Sequence, residues 1–418
     1  MENHIYVYID LQGVTTLVGQ LWMRARGGRE TASFEYDPGW LAHPQKFALD
    51  PALSLGAGAY HTNTGQAIFG AIGDSAPDRW GRVLMQRAEA RRAQQAQTAQ
   101  RTLMESDFLL MVNDISRPGA LRFTTEPGGP FLATSDMVRI PPLIELPRLL
   151  SASTSFINES EGDEDLRILL APGSSLGGAR PKASVVDSDQ SLAIAKFPRP
   201  DDNFNVARWE GLALRLAERA GIPVPRWRIE TISGKDVLIL KRFDREGDIR
   251  IPFLSAMSML GARDNEAHSY LEIMDALRQY GANPVEDGAQ LWRRVVFNIL
   301  ISNTDDHLRN HAFLYSTAGG WRLSPAYDLN PVPVEVRPRV LSLAVDEHNT
   351  AASLEVAFSV AGQFGLSPQQ AKDIAREVAR VTSDWRNQAQ AMGISGAEIT
   401  RMASAFDHAD LRLALQPN

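Results

Sequence analysis

NILISNTDDHLRNHAFLY, residues 298–315, is the stretch on which the reading of this chain turns. An apolar helical run, in which Leu291, Val295, Ile299 and Leu300 share one face, ends at Ser302. Asn303, Asp305, Asp306, His307, Asn310 and His311 then crowd into the positions that follow, and a strand-like run, AFLY, comes at once after them. Carboxylates, amides and imidazoles packed between apolar segments point to chemistry rather than to solubility. A little further on, WRLSPAYDLNP (321–331) offers another carboxylate, Asp328, behind an apolar approach.

Asp305 and Asn310 stand five apart, the D-x-x-x-x-N spacing of a catalytic-loop base and a metal-binding amide in protein kinases. Asp328 then fits the second metal ligand. Other readings of the loop are open at this point. His307 and His311 have the i, i+4 spacing of a zinc pair, but a zincin needs Glu beside the first His and Leu308 stands there. A phosphohydrolase could use Asp305 and Asp306 with two metals, or the loop could simply cap the helix.

Upstream, APGSSLGGARPKASVV (171–186) leaves little side-chain bulk and several backbone donors just before a strand. Such a loop can wrap phosphates, or it can be a turn before a hairpin. It is neither a Walker A loop nor a dinucleotide fingerprint. Lys196 lies on the apolar strand SLAIAKF (191–197), where an ammonium is costly without a partner unless it snorkels to water from a sheet edge. Glu210 follows on an amphipathic helix whose apolar residues are Trp209, Leu212, Ala213, Leu216 and Ala217. A strand lysine with a helix glutamate is the pair that kinases use to hold nucleotide phosphates. Loop, Lys, Glu, Asp…Asn and Asp therefore occur in the order of a two-lobed kinase site, an order that the phosphohydrolase reading leaves unexplained.

The rest of the chain fits this frame. Its 418 residues, 44% hydrophobic and 22% charged, suit a globular protein of two to three domains at about 150 residues each. There is no cysteine, which excludes disulfides, thiolate metal sites and thiol catalysis and suits the cytoplasm. No apolar run is long enough to span a membrane, and no secretory signal opens the sequence. A formal net charge of −7 argues against a broad electrostatic grip on DNA. IYVYI (5–9), TTLVGQLWM (15–23) and TASFEY (31–36) predict a small antiparallel sheet, and Asp74 to Pro77 a helix start. Residues 125–165 read as a connection, with IELPRLLSA as a short helix and the acidic run Glu159–Asp165 leading into another. KASVV, SLAIAKF, WRIETI and DVLILKRF read as strands, and helices dominate after about 252, with starts at Ser367-Pro368, a helix that would end near Trp385, and a capping box at Ser395 and Glu398. The expected fold class is α+β, with a β-rich N-terminal subdomain over 1–125, a linker and N-lobe-like region over 126–250 and an all-helical catalytic C-terminal lobe over 251–418.

At SSLGGARPKA (174–183), AIAKFP (193–198), LILKRFDR (238–245), NTDDHLRNH (303–311) and LSPAYDLNP (323–331) the sequence resembles the HipA family of bacterial serine/threonine kinases, the toxin half of persistence-type toxin–antitoxin modules. IFGAIGDSAPDRWGRVLM (68–85) resembles that family's appended N-terminal domain. The resemblance implies a two-lobed protein-kinase-like fold and the cofactors ATP and Mg2+. It implies Asp305 as catalytic base, Asn310 and Asp328 as magnesium ligands, and Lys196, supported by Glu210, on the ATP phosphates. Gly177, Gly178, Ala179, Arg180 and Lys182 would form the nucleotide loop, Lys241, Arg242 and Phe243 the adenine side, with His307 near the nucleotide. Ser175, with Ser174 beside it, matches the serine whose autophosphorylation switches such kinases off. The implied partners are a HipB-like DNA-binding antitoxin, with DNA reached only through it, and a protein substrate in translation such as an aminoacyl-tRNA synthetase. A catalytically weak co-repressor is the non-enzymatic alternative.

Overall fold

The computed structural model describes residues 2–131, 140–173, 178 and 180–416. They divide into two compact units, the first made of residues 1–201 and 230–254, the second of 202–229 and 255–418. Residues 1–125 and most of 126–250 thus share one unit.

The first unit opens with β1 (Glu2–Leu11), β2 (Val14–Arg26) and β3 (Arg29–Tyr36). Together with β4 (Ala59–His61) and β5 (Leu121–Thr124) they form an antiparallel sheet in the order β4-β3-β2-β1-β5. Between β1 and β2 the Gln12-Gly13 pair has φ of 54° and 82°, the left-handed pair that a two-residue hairpin turn requires. One face is buried by alternation: Ile5, Val7 and Ile9 on β1, and Ala32, Phe34 and Tyr36 on β3.

The long helix expected from Asp74 begins later, at Arg79–Gln95, with Asp78 as its N-cap. Asp74 instead closes a short helix, Gly70–Gly73. Pro77 explains the shift, since it disfavours helical backbone at the residue before it. The helices Leu146–Ile157 and Asp163–Gly173 follow, the second with Asp163, Glu164 and Asp165 in its first turn, where acids are favoured. This stretch is core rather than connection. Leu146, Leu149, Leu150, Phe156, Leu166 and Leu169 cluster with Trp80, Leu84 and the strand residues Ala183, Val185, Ala193, Ala195, Val237 and Ile239.

Those strands are β6 (Lys182–Val186), β7 (Leu192–Lys196), β8 (Trp227–Ile232) and β9 (Lys235–Lys241), in the sheet order β6-β7-β9-β8. Past β9, a buried charge cluster joins the chain to residues 114–119. Arg242 pairs with Asp244 at 2.5 Å and donates to the carbonyls of Ser116 and Arg117, while Arg245 also pairs with Asp244 at 2.9 Å. Asp244 in turn accepts from the Gly119 amide at 2.7 Å. Burial alone would raise the Asp244 carboxyl, but the Arg242 and Arg245 charges outweigh it and hold it below the usual carboxylate range.

In the second unit, Val206–Arg219 is the amphipathic helix expected around Trp209. Trp209 lies 6.2 Å from Trp385 and 6.3 Å from Phe406, ring centre to ring centre, and donates to Glu398. The capping box expected at Ser395 is therefore one-sided. Ser395 caps the amide of Glu398, but the Glu398 carboxylate goes to Trp209 and to the Asn205 amide. Trp385 opens a helix of its own, Trp385–Ala391, after Pro368–Ser383 has ended. The helices Tyr270–Tyr280 and Pro284–Leu300 frame the stretch rich in candidate site residues together with the hairpin Ala312–Tyr315/Trp321–Leu323, so the lobe expected to be all-helical also carries paired strands. Among the described residues, no helix is long and apolar enough to cross a membrane.

Replacing Asp244 with Ala strands two buried guanidiniums and should cost about 3–5 kcal/mol, read as a lower urea midpoint. The wild-type contribution is complete above the unfolded carboxylate pKa of about 4 and is lost as pH falls through the lower folded value, so the gap between the two proteins should narrow on acidification.

Candidate active site

The loop that follows Pro284–Leu300 is organised around one buried side chain. Asp306 is 2% exposed, and its Oδ2 accepts from the Tyr270 hydroxyl at 2.6 Å, from Asn298 Nδ2 at 2.8 Å and from His311 Nε2 at 2.7 Å. Burial, and then the Asp306 charge, push the Tyr270 phenol well above its ordinary value, so it stays a donor. With these donors around it, Asp306 is unavailable as an exposed nucleophile or metal ligand. The two-carboxylate phosphohydrolase loses one of its two groups.

Asp305, the next residue back, faces the other way. Its side chain is 66% exposed, and its Oδ1 accepts from Arg337 at 3.0 Å. Its backbone carbonyl accepts from Asn310 Nδ2 at 3.1 Å, which ties the two ends of the D-x-x-x-x-N motif together. Asn310 itself is buried and closes the 3-10 turn Leu308–Asn310, its amide donating to the carbonyl of the exposed His307.

Several hydrogen bonds hold the segment around Asp328 against this loop. Asn303 Oδ1 accepts from the Asn330 amide at 3.3 Å, Tyr327 donates its hydroxyl to the Arg309 carbonyl at 2.8 Å, and the Val332 amide donates to the Ser302 carbonyl at 3.2 Å. Asn330 also donates to Asp328 Oδ1 at 3.3 Å. Buried Arg294 donates to the Ser324 carbonyl at the segment's start. Asp328 has φ of 59°, a left-handed conformation that aspartate tolerates better than most residues and that the surrounding bonds must sustain. Asp305, Asn310 and Asp328 thus lie on two cross-braced segments of the second unit.

The glycine-rich loop and the two strand lysines fall in the first unit. Of the glycine-rich loop, Gly178 and Arg180 are described, whereas Ser174, Ser175, Gly177 and Ala179 lie outside the described residues. Lys182 on β6 and Lys196 on β7 are direct cross-strand partners, so the two ammonium-bearing side chains leave the sheet on one face. At the end of β9, Lys241 pairs with Asp189 at 2.9 Å, Arg242 is spent on Asp244, and Phe243 packs 6.4 Å from Phe253. Buried Glu210 belongs to the second unit. Among the described residues no group of three or more His, Asp or Glu could hold a metal, so a metal here would rest on Asp328, on the Asn310 amide and on oxygens from outside the chain.

The supporting residues Tyr270, Asn298, Asn330 and Arg337 escape a reading based on spacing. Asn298 alone left a trace, as a polar residue inside the apolar run VVFNIL. Asp306→Ala removes the acceptor for Tyr270, Asn298 and His311. It should lower stability by about 3 kcal/mol in urea denaturation, since each donor bonded a charged group.

Residues 174–385 match the model of the HipA-like C-terminal domain, and residues 9–123 that of the HipA N-terminal domain. A Haemophilus influenzae protein named "Putative kinase" is 25% identical over 197 residues, 41% of this chain and 57% of that protein. "Putative kinase Y4mE" of Sinorhizobium fredii is 27% identical over 194 residues, 40% of this chain and 43% of that protein. The chain therefore spans about half the length of these curated relatives. Among solved structures, HipA from the Shewanella oneidensis toxin–antitoxin complex of HipA, HipB and operator DNA superposes with a TM-score of 0.70 at 16% identity, over 98% of this chain and 96% of that one. The chain belongs to the HipA family and has the family's α+β, kinase-like fold.

Proposed function

We propose that this chain is an ATP- and Mg2+-dependent serine/threonine protein kinase of the HipA toxin type. The observation that carries the reading is the cross-bracing of loop 302–311 to segment 324–332, with Asp305 exposed on the first and Asp328 held in a constrained backbone on the second. Phosphoryl transfer asks the protein for little covalent chemistry. It asks for fixed positions and for charge neutralisation, and both need a rigid frame.

Asp305 accepts the proton of the acceptor hydroxyl and aims its oxygen, with Arg337 yielding its place on the carboxylate. Asn310 Oδ1 and the Asp328 carboxylate would hold magnesium. These are the hard oxygen donors that this ion takes, and the Asn310 nitrogen is already committed to the Asp305 carbonyl. The ion, when bound, supplies neutralisation of phosphate charge. Lys196, steadied by Glu210, contacts the phosphates, and its cross-strand neighbour Lys182 adds a second cation on the same face. Gly177, Gly178, Ala179 and Arg180 complete the nucleotide loop. Lys241, Arg242 and Phe243 line the adenine side through their backbone, because their side chains are engaged elsewhere, and His307 sits near the nucleotide.

The acceptor is a Ser or Thr on a protein of translation, such as an aminoacyl-tRNA synthetase. Phosphorylation of Ser175, or of Ser174 beside it, turns the enzyme off. A HipB-like antitoxin binds the chain and connects it to DNA. The support is the fold match to a HipA seen with HipB and operator DNA, and a net charge of −7 is in keeping with DNA contact through a partner rather than directly. The chain acts in the cytoplasm. The presence of Lys196, Asp305, Asn310 and Asp328 together argues against a co-repressor without catalysis.

The wild-type protein should transfer label from γ-labelled ATP to protein hydroxyls in the presence of Mg2+ and should stop when EDTA is added. Asp305→Gln should lower that transfer by about 10²–10⁴-fold with an unchanged melting temperature, because the side chain is exposed. Mass spectrometry of wild type after ATP treatment should place phosphate on Ser175 or Ser174, and the Asp305→Gln protein should stay unmodified. Full transfer by that variant would refute the assignment.

A further inference from the structure

We propose that Asp78, in the N-terminal domain, is a positioning residue for the nucleotide loop: its carboxylate and the first turn of the helix it caps hold Gly178 in place and so set the affinity for ATP. The proposal rests on the kinase reading above.

Asp78 uses its two oxygens on two different tasks. Oδ1 accepts at 2.7 Å from the amide of Arg79, the first residue of the helix, and so satisfies one of the helix's free first-turn donors. Oδ2 accepts from the Gly178 amide at 2.5 Å, a hundred residues further along the chain. The Trp80 amide, one of the helix's first-turn donors with no partner inside the helix, donates to the Gly178 carbonyl at 3.1 Å. Both polar backbone groups of Gly178 are therefore held by one helix start. Trp80 adds a third tie, its Nε1 donating to the Lys182 carbonyl at 2.9 Å.

What is held matters for phosphate binding. Gly178 has φ of 83°, and a Cβ on it would stand 2.6 Å from Lys182 Nζ. The loop backbone and the Lys182 ammonium are thus in contact, and Lys182 is the cross-strand partner of Lys196. Fixing Gly178 fixes the spacing between the loop and these lysines. Capping alone needs a single oxygen, which Ser or Asn also supplies. The second oxygen is the one that serves the loop.

Asp78→Asn separates the two tasks. Its Oδ1 still caps Arg79, whereas its Nδ2 meets the Gly178 N–H donor to donor. In the full-length protein, assayed with Mg-ATP and a labelled protein acceptor, KM for ATP should rise roughly tenfold, the order expected for losing one hydrogen bond to a charged acceptor, while kcat and the melting temperature stay close to wild type. Asp78→Ser, which also keeps the cap, should raise KM in the same way and guards against a folding defect peculiar to Asn. An unchanged or lower KM in folded Asp78→Asn and Asp78→Ser overturns the proposal and leaves the kinase reading standing. A wild-type protein that neither binds Mg-ATP nor transfers phosphate overturns the kinase reading, and the proposal falls with it.

Discussion

A carboxylate shut away from water survives only where donors surround it, and Asp306 is such a carboxylate. Tyr270 from one helix, Asn298 from another and His311 from the residue before a strand all converge on one of its oxygens. Each donor comes from a different element, so the loop can take one course only. With Asp306 turned inward, Asp305 is turned to solvent, and its carbonyl is left in position to receive Asn310. The exposure of Asp305 and the tie between Asp305 and Asn310 thus follow from a buried neighbour.

The first unit shows the same economy with opposite charges. Arg242 and Arg245 are removed from water and share Asp244, and through Ser116, Arg117 and Gly119 they tie the end of β9 to the chain just before β5. The charged side chains that follow β9, Arg242, Asp244 and Arg245, are all consumed by this cluster. Trp80 ties the other end of the sheet to the same N-terminal stretch. The N-terminal domain is therefore part of the frame of the second sheet and no mere appendage.

Much of this could be read from the residues. Strands of the first sheet announce themselves by period-two burial and tight turns, and KASVV and WRIETI are strands over their full quoted length. The functional loop was visible because polar residues crowd between apolar ones. Other features were hidden for physical reasons. Asp74 and Asp78 are equally good caps by residue type, and only the backbone limits imposed by Pro77 choose between them. Residues 125–165 resemble a connection in composition, and only packing against β6, β7 and β9 makes the helix Leu146–Ile157 within them core. Glu398 has the spacing of a reciprocal cap, but a tryptophan far away in sequence claims it. The opposite fates of Asp305 and Asp306 depend on which carboxylate Tyr270, Asn298 and His311 reach, which spacing along the chain cannot reveal.

The chain passes between the units after residues 201, 229 and 254. In the second sheet, β9 lies between β7 and β8, yet it is separated from β7 in sequence by an excursion into the other unit. A gene fragment ending near residue 201 would encode β6 and β7 without the strand that covers β7, leaving a bare apolar edge open to pairing with other copies. Dissecting this protein at its apparent midpoint should yield insoluble halves, and recombination within the family would have to exchange the stretch from β6 to β9 as a single block.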